Sequence, residues 1–133
     1  MEISVEQVNA LIAPYFPGLF GVTFSEVGPG HSVCHVKVEP RLHNPVGILH
    51  GGVPYSLADT GMAMALMPML TEGQNFSTVE IKVSYFKPVV SGELTCETRV
   101  INQGRRVIFL ESDVRDGSRL VAKASGTYYV KAE

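Results

Sequence analysis

Hydrophobic and polar positions alternate along this chain with two different periods, and the change of period divides it. Val5, Val8, Leu11 and Ile12 are spaced as on one face of a short helix, which Pro14 and Pro17 bring to an end. The segments 20–24 and 32–38 read as strands around a Gly28-Pro29-Gly30 turn. Residues 49–70 behave differently. Pro54 fits the first turn of a helix, where its missing N–H costs nothing. Leu57, Ala58, Gly61, Met62, Ala65 and Leu66 belong to a stretch that is apolar almost all round, so this helix is buried on most of its surface. Small residues at 58, 61, 63 and 65 let neighbouring backbones come close, and Pro68 limits how far the helix continues.

From residue 76 the period becomes two: Val79, Ile81, Val83 and Tyr85 alternate with Thr78, Glu80, Lys82 and Ser84. Runs at 93–101, 106–114 and 119–130 follow. The turns between them fall at 88–92, Asn102-Gln103-Gly104 and Asp116-Gly117, which predicts an antiparallel meander. The fold class is α+β, an antiparallel sheet of about six strands wrapped around one long central helix. With no internal repeat, linker or charge block, residues 1–133 read as a single domain. Only one face of a sheet can cover the helix. The apolar run Val107-Ile108-Phe109-Leu110 and the β-branched edge therefore point to self-association.

Composition narrows the classes. The chain has 133 residues, 45% hydrophobic and 18% charged, with a net charge of −2, which gives no electrostatic case for nucleic acid or an anionic membrane. The acidic, amphipathic N-terminus lacks the form of a signal peptide. The longest apolar stretch, 61–70, falls well short of the ~20 residues that span a bilayer. A cytoplasmic protein is expected. Cys34 and Cys96 lie in apolar strand-like runs and read as reduced core thiols, with no Cys-x-x-Cys.

Asp59 is the one residue between His50 and Glu72 that is normally charged near neutral pH, and it sits mid-helix among apolar neighbours. A buried carboxylate must be paired, hydrogen-bonded, protonated or facing a polar cavity, so Asp59 is either a structural cap or the chemical centre. Gly51-Gly52 opens the same helix, where bare first-turn amides and the positive end of the dipole can hold a carbonyl oxygen as it gains charge. The same dipeptide is equally an ordinary turn. Asn44, His43 and His50 flank it, but no zinc spacing is present, so no metal is expected. Ser56 is not in a nucleophile elbow, and no Walker or Rossmann glycine pattern occurs, so no cofactor is expected.

The run Asn44-Pro45-Val46-Gly47-Ile48-Leu49-His50-Gly51-Gly52, followed by Leu57-Ala58-Asp59, closely resembles the core motif of PaaI-like hotdog thioesterases. The resemblance continues through residues 78–88, Gly92-Glu93, the Gly104-Arg105 hairpin and Leu120-Val121-Ala122, in family order over residues ~20–130. It implies hydrolysis of acyl-coenzyme A by homodimers, often paired into dimers of dimers, with active sites at the dimer interface. Carried over, the Gly52 or Gly51 amide polarises the thioester carbonyl, Asn44 and His50 shape that end, and Asp59 of the other subunit is nucleophile or general base. A hydroxyl at the start of the next strand positions water. Counting back from Tyr85 gives Thr78, with Ser77 one step away. Arg105 and Arg106, with Lys87 and Arg41, are candidates for the phosphates of coenzyme A. Two other readings stay open: a hotdog hydratase or dehydratase, for which His43 gives a hint, and a non-catalytic acyl-CoA-binding protein. Met62, Met64, Met67 and Phe76 could line an acyl pocket or simply fill the core.

Overall fold

A computed structural model describes residues 2–132. Helix α1 (Val5–Ile12) begins at a reciprocal cap in which the Gln7 N–H donates to Ser4 Oγ at 3.1 Å and the Ser4 N–H to Gln7 Oε1 at 2.8 Å. It buries Val8 and Ile12 and leaves Leu11 toward solvent. Pro17 then lies in the first turn of a short second helix, α2 (Phe16–Leu19), which the sequence did not suggest.

The long helix is α3 (Gly52–Leu66), tightened by Pro68 into a 3₁₀ turn over Met67–Met69. Its small residues work as expected. A side chain at Gly61 would come within 2.8 Å of the Thr98 hydroxyl and 3.4 Å of the Cys34 sulfur. That close approach lets the Ser32 hydroxyl donate to the Gly61 carbonyl at 2.7 Å, while Thr98 and Ser112 share a hydrogen bond of 2.6 Å. Buried polar groups beneath the helix are thus paired, as their burial requires. Cys34 and Cys96 face each other across neighbouring strands as free thiols. Burial pushes the Cys34 thiol up, which keeps it protonated and unreactive.

Six strands surround α3: β1 (Thr23–Gly28), β2 (His31–Lys37), β3 (Gln74–Tyr85), β4 (Glu93–Gln103), β5 (Val107–Asp116) and β6 (Arg119–Ala132). They form one antiparallel sheet in the order β1-β2-β4-β5-β6-β3. This corrects the expected meander: β4, β5 and β6 follow it, but β3 pairs with β6 at the far edge. The segment after β3 is no hairpin. Its first residues stay on β6, with the Phe86 N–H donating to Val121 O at 2.8 Å. The chain then crosses under the start of α3, buries Val89, and accepts the Leu49 N–H on the Val89 carbonyl at 2.7 Å.

The two sheet edges differ. β1 is short and bulged between Phe24 and Glu26, and the Asn9 carboxamide covers it. The Asn9 Nδ2 donates to Phe24 O at 3.1 Å, and the Phe24 N–H donates to Asn9 Oδ1 at 2.7 Å. β3, twelve residues long, has no such cover among the described residues.

Candidate active site

Asp59 is half-buried rather than enclosed, and a phenol holds it. Tyr128 of β6, fully buried, donates its hydroxyl to Asp59 Oδ1 at 2.7 Å and lies 3.3 Å from the Asp59 carbonyl. Among the described residues no cation comes within ion-pair distance of this carboxylate. Burial pushes the Tyr128 phenol well above its ordinary range, the Asp59 charge and hydrogen bond push the same way, and a hydrogen bond with Thr78 opposes them. Tyr128 is therefore a fixed neutral donor, with the Thr78 hydroxyl against it.

A β-bulge decides which hydroxyl is there. Thr78 lies opposite Tyr128 and Ser77 opposite Tyr129, so Thr78 shares the helix-facing side and Ser77 is turned to the outer face. Uninterrupted alternation would have turned Val79 inward with Ile81 and Val83. The bulge between Thr78 and Glu80 leaves Val79 62% exposed instead, and Thr78 takes the inward position.

The second cluster lies at the start of α3. The Gly52 N–H donates to His50 Nδ1 at 2.8 Å, and the Val53 N–H to the His50 carbonyl at 3.0 Å. The Gly52 amide is thus engaged within the chain, whereas among the described residues the Gly51 N–H, the other amide expected to polarise a carbonyl, has no hydrogen-bond partner. His50 shapes this end as that cap, a role open only to a ring without a proton on Nδ1. Tyr85 of β3 donates its hydroxyl to the Gly51 carbonyl at 2.6 Å. Burial, followed by the nearby Tyr55, raises the Tyr85 phenol. Asn44 uses its side-chain oxygen on the Val46 and Ile48 amides, at 3.0 and 3.4 Å. With Gly51, Pro54, Tyr85, Lys87 and Val89 it lines a cleft of about 380 Å³.

The two clusters do not meet within one chain. Gly51, Tyr55 and Asp59 succeed one another at i, i+4 on one helix face, so Asp59 stands ~12 Å along the axis from Gly51. That face runs along β3, with Tyr85 at the Gly51 end and Thr78 at the Asp59 end. Arg105 and Arg106 lie in the β4–β5 hairpin at the Tyr128 end of the sheet, where the Val130 N–H donates to the Arg106 carbonyl at 2.6 Å. Their side chains are exposed, as is Lys87. Arg41 is engaged elsewhere, on Leu19 O at 2.9 Å and Glu39 at 3.4 Å. His43 is likewise tied to the Val90 carbonyl at 2.8 Å.

Tyr128, Tyr85 and Tyr55 escaped the sequence reading. A signal existed for Tyr128: a tyrosine on an inward strand position needs an acceptor, and the helix carboxylate needed a donor. No group of three or more metal-ligating side chains is gathered among the described residues, and no described helix is long and apolar enough to cross a membrane.

The sequence profile of the thioesterase superfamily matches residues 46–123, and the chain belongs to that family. It is 30% identical to the proofreading thioesterase EntH of Klebsiella pneumoniae, over 79% of this chain and 77% of the relative. It is 29% identical to human acyl-coenzyme A thioesterase 13, over 82% and 79% of the two chains. A crystal structure of a thioesterase from Haemophilus influenzae superposes with a TM-score of 0.94 at 28% identity, covering 99% of this chain and 93% of that one. The protein is thus a hotdog-fold enzyme that hydrolyses thioesters, and its likeness to a phenylacetic acid degradation-related protein of Ralstonia eutropha, with a TM-score of 0.79 at 26% identity over 85% of this chain and 87% of that one, bears out the PaaI-like resemblance.

Proposed function

We propose that the enzyme hydrolyses acyl-coenzyme A thioesters to free acid and coenzyme A, with Asp59 as general base, at a site completed by a second copy of the chain. The observation that carries this reading is the Asp59–Tyr128–Thr78 constellation: an uncompensated carboxylate, oriented by a neutral donor, beside a hydroxyl that can hold a water. Water held by Thr78 attacks the carbonyl carbon and gives its proton to Asp59. The carbonyl oxygen takes up the electron pair against the Gly51 N–H and the α3 dipole. Collapse of that intermediate breaks the C–S bond, and the proton goes to the leaving thiolate. A thioester is already activated, so no serine nucleophile is required. The adjacent hydroxyl favours the general-base form over attack by the carboxylate itself.

The second copy follows from the edges. β1 is closed by Asn9, whereas β3 is long and open. Antiparallel pairing of β3 with its symmetry mate sets the Tyr85 end of one strand beside the Thr78 end of the other. Gly51 of one protomer then faces Asp59 of its partner, which supplies what a single chain lacks. A dimer of dimers would form through surfaces other than these two edges. Arg105, Arg106 and Lys87, free of protein partners among the described residues, are the cations for the coenzyme A phosphates. Coenzyme A as carrier also assigns the work to the cytoplasm. His43, held by Val90, gives the dehydratase reading no support.

The test is Asp59→Asn against a panel of acyl-CoA thioesters, read by release of free thiol. The expected loss in kcat is about 10²–10⁴-fold, with folding and oligomeric state retained. A variant that keeps near-wild-type turnover sinks the mechanism. Failure of the wild-type enzyme on every acyl-CoA sinks the substrate assignment.

A further inference from the structure

Carboxylates on helices rotate about χ2, and a base that rotates presents either oxygen to water. In this chain one oxygen is taken. We propose that Tyr128 is a positioning residue for hydrolysis, holding Oδ1 of Asp59 so that Oδ2 alone remains to accept the proton from water; this rests on reading Asp59 as the general base.

The phenol is well placed to fix a geometry. Its ring is fully buried, packs edge-on against Phe76 with centroids 5.9 Å apart, and lies in register between Thr78 on one side and Ile108 on the other. A donor held in this way does not follow the carboxylate, so the carboxylate must follow it. The second contact, 3.3 Å to the Asp59 main-chain carbonyl, ties the same hydroxyl to the helix backbone. Side chain and backbone of the base are therefore referred to one atom on β6.

The nature of the donor matters as well. A lysine or arginine would also orient Asp59, but its full charge would strongly suppress the basicity that catalysis needs. A neutral phenol orients the base without setting a positive charge beside it. The groups that face Asp59 are Tyr128 from β6, Thr78 from β3 by way of the phenol, and Tyr55 from one turn earlier on α3. None can carry a positive charge, and among the described residues no cation lies within ion-pair distance of the carboxylate.

Tyr128→Phe keeps the ring and its contact with Phe76 and removes only the hydroxyl. With an acyl-CoA substrate, kcat is expected to fall on the order of 10-fold while KM stays within about twofold, since orientation of the base is felt in the transition state. A hydroxyl that only filled space would, once removed, lower the melting temperature without splitting kcat from KM in this way. 3-Fluorotyrosine at position 128, a stronger donor of nearly the same shape, should likewise change kcat and leave KM within about twofold, and it keeps the test open if Tyr128→Phe fails to fold. Folded variants with unmoved kcat overturn the positioning role. If Asp59→Asn is inactive in that same case, the general base stands and Tyr128 alone is reassigned to packing. If Asp59→Asn stays active, both readings fall together.

Discussion

A methyl group on Gly51 is the smallest change that interrogates the oxyanion end. Gly51 has φ −58° and ψ −23°, a conformation open to any residue, so the glycine is not there for backbone freedom. It is there for space: a Cβ would lie 3.3 Å from the Tyr85 ring and hydroxyl. Gly51→Ala is expected to lower kcat about 10-fold by shifting the amide and its phenol clamp, with little change in melting temperature. Steady-state kinetics beside a thermal melt check the pair. Single residues were unevenly legible in the sequence. Asp59 stood out because a charge among Leu57, Ala58, Gly61 and Met62 demands a reason. Tyr128 did not, because a tyrosine in an alternating strand is unremarkable until its hydroxyl is seen to end on that charge.

At the scale of elements, the helix and strand boundaries followed from periodicity to within a few residues, while pairing did not. Both departures lie on β3. Its pairing with β6 depends on a crossover that no local signal in residues 86–92 announces. Its bulge at Val79 breaks an alternation that reads as continuous, and so it hides which of two neighbouring hydroxyls faces the helix. Between β4, β5 and β6 the outer face carries a charge network centred on Asp113. Lys123 donates to it at 2.7 Å, and Arg99 and Arg115 lie at 3.5 and 3.7 Å. Burial alone would raise the Asp113 carboxyl, but the Lys123 hydrogen bond and the three positive charges hold it below its ordinary value. A depressed carboxyl stabilises the fold above its unfolded pKa and ceases to do so as pH falls through the folded one. Asp113→Asn is therefore expected to cost about 1 kcal/mol at pH 7, a gap that narrows progressively below about pH 4. Urea unfolding of both proteins across that range is the measurement.

At the scale of the molecule, a site divided between two chains makes a prediction that neither chain makes alone. Asp59→Asn spoils one half-site and Gly51→Val the other, so each homodimer should be inactive. Mixed and reassembled, the two variants form heterodimers in which one site combines the intact Gly51 of one chain with the intact Asp59 of its partner. Recovery to about one quarter of the wild-type rate is expected from an equal mixture, because half the dimers are mixed and each has one good site. A site formed within a single chain would recover nothing.

The Asn9 side chain that occupies the Phe24 backbone has a consequence for how large the assembly can grow through its sheet. An edge that accepts a strand on one side and offers another on the opposite side would propagate without end, as fibrils do. Here one edge accepts and the other is spoken for by a side chain of the same molecule. In the proposed dimer, joined through β3, the lengthened sheet would have Asn9 at both extremities, and strand addition would stop at two chains.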